Sequence, residues 1–394
     1  MTAPIVIIGS GFAANQLVRT VRRMDALIPI QVFTADEGAE YNKPDLSHVF
    51  SKKQTAQDLV VKTGEDFAKE HNIELFANTL IDSVDTQAQQ VMANGRPHAY
   101  SKLVFATGAK AFVPPMLGNA VEQVITLNSL QEYQVAEAKI SRAKRVSVIG
   151  GGLIGVEIAM DLASSGKVVT VVEPNHRLLA NLIPEFVVLP LEKQLEQQGV
   201  QLALGNDVAE VNHSGNAFAI TLSRDQVVET DVVISAAGLR ANTKLAMKSG
   251  IKVDKGIMVD ARLQTSVANV YALGDCAEIQ GRMRPYLQPI VLGANVLGKQ
   301  LLGQEAQLVL PPMMVKVKTP SYPIQLAGCF DTAVHWDAQI SPTGIIAKAT
   351  DEDHQFVGFV VAGKQVDQAF PLLRELTTSV MSLRNSTGIT RIIQ

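Results

Sequence analysis

A strand–turn–helix pattern occurs twice in this chain, and it limits the fold more than any other feature of the sequence. Ile5-Val6-Ile7-Ile8 is a continuous apolar run of the kind buried on both faces of a parallel sheet. Gly9-Ser10-Gly11-Phe12-Ala13-Ala14 follows it, then a helix is expected to about Met24, then a second apolar strand at Ile30–Phe33. The same order returns at Arg145-Val146-Ser147-Val148-Ile149, Gly150-Gly151-Gly152-Leu153-Ile154-Gly155, a helix to about Ser165 and a strand from Val168 to Val172. In such a turn the first glycine (Gly9, Gly150) permits the tight bend. The second (Gly11, Gly152) lets a pyrophosphate approach the backbone, and the small third residue (Ala14, Gly155) lets helix meet strand. The helix N-terminus then offers free N–H groups and a partial positive charge to the phosphates. Two such units predict two dinucleotide-binding folds.

Acidic residues follow each second strand. Asp36 or Glu37 is placed to bind adenosine ribose hydroxyls in the first unit, and Glu173 in the second. A carboxylate at Glu173 favours a free 2′-hydroxyl and repels a 2′-phosphate, so NADH is expected over NADPH. Arg177 lies close by and weakens that preference, because arginine accommodates a 2′-phosphate.

Composition removes other classes. At 394 residues the chain is long enough for two or three domains, and its 47% hydrophobic content is that of a globular protein. A net charge of −3 without a basic arm argues against nucleic-acid binding. The N-terminal apolar run lacks a basic start and ends in glycines rather than a cleavage site. No apolar run approaches the ~20 residues of a membrane helix. A cytoplasmic protein without membrane insertion is expected. The two cysteines, Cys276 and Cys329, form no closely spaced pair, so a dithiol relay beside the cofactor is excluded and both read as packed thiols. His48 and His176 read as surface residues. Ala219-Ile220-Thr221-Leu222 reads as antiparallel ribbon. The chain after Pro311-Pro312 reads as a small α+β domain with a helix from about Val366 to Leu383.

Further strings identify a family. Ala106-Thr107-Gly108 follows the strand Leu103-Val104-Phe105; Ala236-Ala237-Gly238 follows Val232-Val233-Ile234-Ser235; then comes Asn269-Val270-Tyr271-Ala272-Leu273-Gly274-Asp275-Cys276. This order resembles the pyridine nucleotide-disulfide reductase superfamily over residues 1 to about 310. The resemblance implies an α/β fold with two Rossmann-like domains, for FAD and NAD(H), plus a small α+β C-terminal domain. It implies a discontinuous FAD domain at 1–110 and 240–312, an NAD domain at 111–239, and an acceptor or interface domain at 313–394. The FAD site would draw on Gly9, Gly11, Phe12, Ala13, Ala14, Asp36, Lys43, Pro44, Val84, Thr107, Gly108, Gly274 and Lys318, with Asp275 on the ribityl chain. The NAD site would draw on Gly150, Gly152, Leu153, Ile154, Gly155, Glu157, Glu173 and Gly238.

Tyr41-Asn42-Lys43-Pro44-Asp45-Leu46-Ser47 sharpens the resemblance. Peroxidases and coenzyme A disulfide reductases of the superfamily carry a catalytic cysteine in this region, and here there is none. Lys43 instead resembles the lysine of rubredoxin reductases and of flavorubredoxin reductases. As the catalytic residue, it would stabilise negative charge on reduced flavin. Lys316-Val317-Lys318-Thr319-Pro320 resembles the start of their C-terminal domain, with Lys318 at the flavin edge or acceptor surface. The helix after Pro285, with Pro289 near its start, would point its N-terminus at the flavin.

The implied activity is NADH:rubredoxin oxidoreduction, with hydride passing to FAD and electrons leaving singly to a small acidic iron protein. Lys43, Lys52, Lys53, Lys316 and Lys318 would steer that partner. The pathway, alkane hydroxylation or oxygen defence, stays open. A flavorubredoxin or [2Fe–2S] ferredoxin is the near alternative acceptor. A quinone reductase would want an amphipathic anchor, whereas the Val366–Leu383 stretch reads as a packed helix. A flavin-bound signalling protein resembling apoptosis-inducing factor would pass electrons slowly.

Overall fold

The computed structural model describes residues 3–387. Its first unit begins with β1 (Ile5–Ile8), α1 (Phe12–Met24) and β2 (Ile30–Phe33), followed by β3 (Glu74–Phe76) and β4 (Lys102–Phe105). The second unit runs through β5 (Ile125–Thr126), β6 (Arg145–Ile149), α2 (Leu153–Ser164), β7 (Val168–Glu173), β8 (Gln201–Leu204) and β9 (Val232–Ser235). The chain then returns to the first unit with β10 (Val270–Ala272) and α3 (Leu287–Leu301).

Both units are parallel five-stranded sheets. The first has the order β10-β4-β1-β2-β3 and the second β5-β9-β6-β7-β8. The central strands are apolar without alternation because helices and loops cover both faces: Ile5, Val6, Ile7 and Ile8 are all buried. Since β10 lies beside β4, with Val270 against Leu103, residues after 240 complete the sheet begun by residues 5–105. The segments that cross between units, Ala109–Ala111 and Leu239–Ala241, pair antiparallel. The Ala219–Leu222 ribbon lies within a strand, Ala217–Leu222, of a three-stranded antiparallel sheet beside the second unit.

The C-terminal part is a five-stranded antiparallel sheet. Its strands are β11 (Val315–Val317), β12 (Ile324–Gly328), β13 (His335–Ser341), β14 (Gly344–Thr350) and β15 (Phe356–Gly363), in the order β11-β12-β15-β14-β13. One face, with Val317, Ile324, Leu326, Ala347 and Val360, packs into the same apolar cluster as Leu46, Val49 and Val156. The other face carries α4 (Ala369–Thr387) through Ala369, Leu372 and Leu376. This helix starts three residues later than its sequence pattern suggests, because Lys364–Gln368 forms a 3-10 turn after β15. Among the described residues no helix is long and apolar enough to cross a membrane.

The two fingerprints differ in how tightly helix meets strand. Ala14 is fully buried with its methyl accommodated, whereas a Cβ at Gly155 would lie 1.9 Å from the Gly150 carbonyl oxygen. Gly9 and Gly150 are the strained turns, with φ of +112° and +107°. A Cβ at Gly9 would also lie 2.3 Å from the Ala106 carbonyl oxygen. Gly9→Ala is therefore predicted to cost about 3 kcal/mol or more and to release bound flavin. Urea unfolding and the flavin content of the purified variant check this.

Candidate functional site

Both glycine turns open into one cavity of about 1560 Å³ between the two sheets and the C-terminal domain. The N-terminal caps of α1 and α2 are Gly11 and Gly152, and neither helix has a side-chain cap. Their first N–H groups are left for another partner. A Cβ on Gly11 or Gly152 would meet nothing within 4 Å, so at both turns the bare backbone faces open space. That is the room a pyrophosphate needs, and two such places in one cavity suit two dinucleotides. Phe12, Ala13, Leu153 and Ile154 line the cavity beside the two turns, as do Gly108 and Gly238 at the ends of β4 and β9.

Several expected site residues stand one layer back. Gly9, Ala14 and Gly155 shape the turns without lining the cavity, and Gly274, at φ +87°, packs against Ala13. Thr107 is tied to the crossing segment: its hydroxyl donates to the Asn242 carbonyl at 2.9 Å, and the Asn242 amide donates back at 2.8 Å. Val84 is buried in the first core on Ile81–Asp85, away from the cavity. Asp36 also does not line the cavity; its Oδ1 accepts from Ser10, Thr34 and the Gly38 N–H. Ser10 does line it, and its hydroxyl donates to Asp36 at 3.1 Å. Glu37 is exposed beside it.

Glu173 lies at the end of β7, buried and fully engaged. Its Oε2 accepts the Gly151 N–H at 2.6 Å, and its Oε1 accepts from the Asn175 backbone and side chain. Arg177 turns instead toward Glu185 at 3.9 Å and the Ala180 carbonyl. The negative charge therefore sits at the fingerprint itself, and the arginine is held by another carboxylate.

The far side of the cavity gathers Lys43 and Lys318 beside Pro44. Lys43 Nζ lies 3.7 Å from Asp275 Oδ2, and Lys318 Nζ donates to the Pro44 carbonyl at 3.1 Å. Lys316 also lines the cavity, whereas Lys52 and Lys53 do not. Leu287, Gln288 and Pro289 bring the uncapped N-terminus of α3 to the same space.

Glu157 holds this arrangement. It sits on α2 with its side chain 3% exposed. Its Oε2 accepts from Ser47 Oγ at 2.8 Å, and its Oε1 accepts the Lys318 backbone N–H at 3.0 Å. One turn later, on the same face, Asp161 accepts from Phe50 N at 2.7 Å and from both the N–H and the hydroxyl of Ser51. The Lys43–Ser51 segment and Lys318, the residue that follows the first strand of the C-terminal sheet, are thus pinned to one helix of the second unit. His48 is not the surface residue its polarity suggests. It is half-buried, with Nε2 3.7 Å from Glu157 Oε2 and no hydrogen-bond partner. Burial, reinforced by Lys318 and Lys52, pulls its pKa down against the opposing pull of Glu157 and Asp161.

Sequence reasoning missed Ser47, Asp161 and Arg284. Arg284 lines the cavity with Nε and Nη2 unpartnered, and burial lowers its pKa. Neither cysteine forms a disulfide. Cys276 is buried and donates weakly to the Phe105 carbonyl, and burial pushes its thiol pKa up. Cys329 is buried too, at the cavity wall. Among the described residues no cluster suits a metal ion.

The chain matches the family model for pyridine nucleotide-disulphide oxidoreductases over residues 3–290, and that for a rubredoxin binding C-terminal domain over residues 307–376. A nitric oxide reductase FlRd-NAD(+) reductase from Vibrio vulnificus is 66% identical over 377 residues, covering 96% of this chain and 99% of the relative. The protein of that name from Escherichia coli O81 is 45% identical, covering 96% and 100%. A ferredoxin reductase from Rhodopseudomonas palustris shares the fold with a TM-score of 0.87 at 23% identity, covering 95% and 96%.

Removing Glu157 takes away the acceptor of the part-buried Lys318 N–H and leaves the Ser47 hydroxyl only the Pro44 carbonyl, at 3.2 Å. Glu157→Ala is predicted to destabilise the protein by about 2–4 kcal/mol. Denaturant unfolding of the flavin-loaded protein measures it.

Proposed function

The chain belongs to the pyridine nucleotide-disulphide oxidoreductase family, and from that membership we propose an NADH-dependent flavoprotein whose acceptor is the rubredoxin module of a flavorubredoxin. It is an FAD- and NAD(H)-using reductase with a rubredoxin-binding C-terminal domain. The preference for a flavorubredoxin over free rubredoxin rests on the relatives named for FlRd, among them one at 66% identity. The single observation behind the chemistry is the shared cavity, with two bare glycine turns and no dithiol at its wall.

FAD, when bound, supplies a two-electron acceptor for hydride that also releases electrons one at a time. The chain's own groups do the rest. The α1 turn, Asp275 and Lys43 would hold the FAD. The α2 turn and Glu173 would hold NADH, with Glu173 as acceptor for its ribose hydroxyls. Lys43, Lys318 and the N-terminus of α3, which line the cavity, would favour negative charge on a reduced flavin bound there. No acid or base is required of the protein for hydride transfer. Residues 1–110 and 240–312 would form the FAD domain, 111–239 the NAD domain and 313–394 the acceptor domain. Two unpaired cysteines support a cytoplasmic location.

Two measurements test this reading. The flavin-loaded protein is expected to reduce a rubredoxin module with NADH in stopped-flow and steady-state assays; reduction of ferricyanide but not of the module refutes the acceptor. Glu173→Arg is expected to shift kcat/KM toward NADPH by about tenfold or more, and an unchanged ratio removes Glu173 from cofactor selection.

A further inference from the structure

Lys316 stands on the first, edge strand of the C-terminal sheet, on the face that carries α4. Its ammonium lies 5.9 Å from the ring centroid of Phe370, in the first turn of that helix. Phe370 is 61% exposed, although its neighbours Ala369, Leu372 and Leu376 are buried against the sheet. A phenylalanine this exposed gains little from the fold, and a cation stands at its ring. Arg374, four residues on and therefore on the same helix face, is exposed and makes no ion pair among the described residues. The adjacent carboxylate, Glu375, is taken by Lys348 at 2.8 Å. Asp367, exposed in the 3-10 turn before the helix, is the acidic neighbour on this side. Lys316 also lines the redox cavity, so the patch continues into the cavity rim.

We propose that Phe370, Lys316 and Arg374 form the docking anchor for the acceptor, a small acidic iron protein module. This rests on the acceptor reading above. Phe370 provides a rigid apolar contact, the kind of side chain that concentrates binding energy at an interface centre. Lys316 and Arg374, left without carboxylate partners, meet the acidic surface of the module and fix its orientation. Because Lys316 touches both the patch and the cavity, a module seated on Phe370 lies against the wall behind which the electrons originate.

The test uses the flavin-loaded full chain, NADH and an iron-loaded rubredoxin module, with ferricyanide as a small acceptor that needs no docking. Phe370→Ala and Arg374→Glu are each expected to raise KM for the module by about tenfold while ferricyanide reduction stays at the wild-type rate. The Arg374→Glu effect should shrink severalfold between low salt and about 0.5 M salt, whereas the Phe370→Ala effect persists. Either variant within twofold of wild type for the module overturns the proposal, as does an equal loss with ferricyanide. A wild-type protein that reduces ferricyanide but not the module overturns the acceptor reading together with it.

Discussion

The buried carboxylate of Glu157 is the interaction on which the rest of the site depends. Removing a charge from water costs several kcal/mol unless hydrogen bonds replace the lost solvent, and here they come from Ser47 and from the Lys318 backbone. Those donors belong to the first unit and to the C-terminal sheet, while Glu157 belongs to the second unit. A charge that cannot be left unsatisfied thus forces three parts of the chain into one register. Asp161, one helical turn on, repeats the arrangement at Phe50 and Ser51. Lys43 and Lys318 then arrive at the same wall of the cavity without bonding each other, one beside Asp275 and the other on the Pro44 carbonyl.

Electrons that leave without a thiol relay need a short path from cavity to surface, and the small third domain supplies its outer wall. Its sheet buries one face in the core shared with Leu46 and Val156, so it cannot drift from the site. Its other face carries α4 and the exposed Phe370. Rigid attachment on one side and an exposed aromatic ring beside a cation on the other suit the proposed docking of an acceptor.

Much of this was legible in the sequence, for reasons that are local. The turns at Gly9 and Gly150 are dictated by backbone geometry, and apolar runs such as Ile5–Ile8 read directly as buried parallel strands. The place of Glu173 at the end of β7, beside the second fingerprint, follows from its distance along the chain. Partners far apart in sequence were not legible. Ser47 and Glu157 are 110 residues apart, and nothing local marks either as half of a pair. His48 is polar and flanked by a loop, which suggests solvent, yet packing of α2 buries its Nε2. Asp36 does not line the cavity, because Ser10, Thr34 and Gly38 draw its Oδ1 inward, and no local pattern announces those partners. Arg284 follows a hairpin with no motif, and only the assembled cavity shows where its guanidinium lies.

One cavity reached by both glycine turns would bring the two nucleotides together, and an anaerobic NADH titration of the flavin-loaded protein tests this most directly. With no reducible thiol pair on the path, bleaching of the flavin absorbance should end at one equivalent of NADH per flavin. An end point near two equivalents would reveal a second two-electron centre, and no bleaching would show that the two nucleotides do not meet.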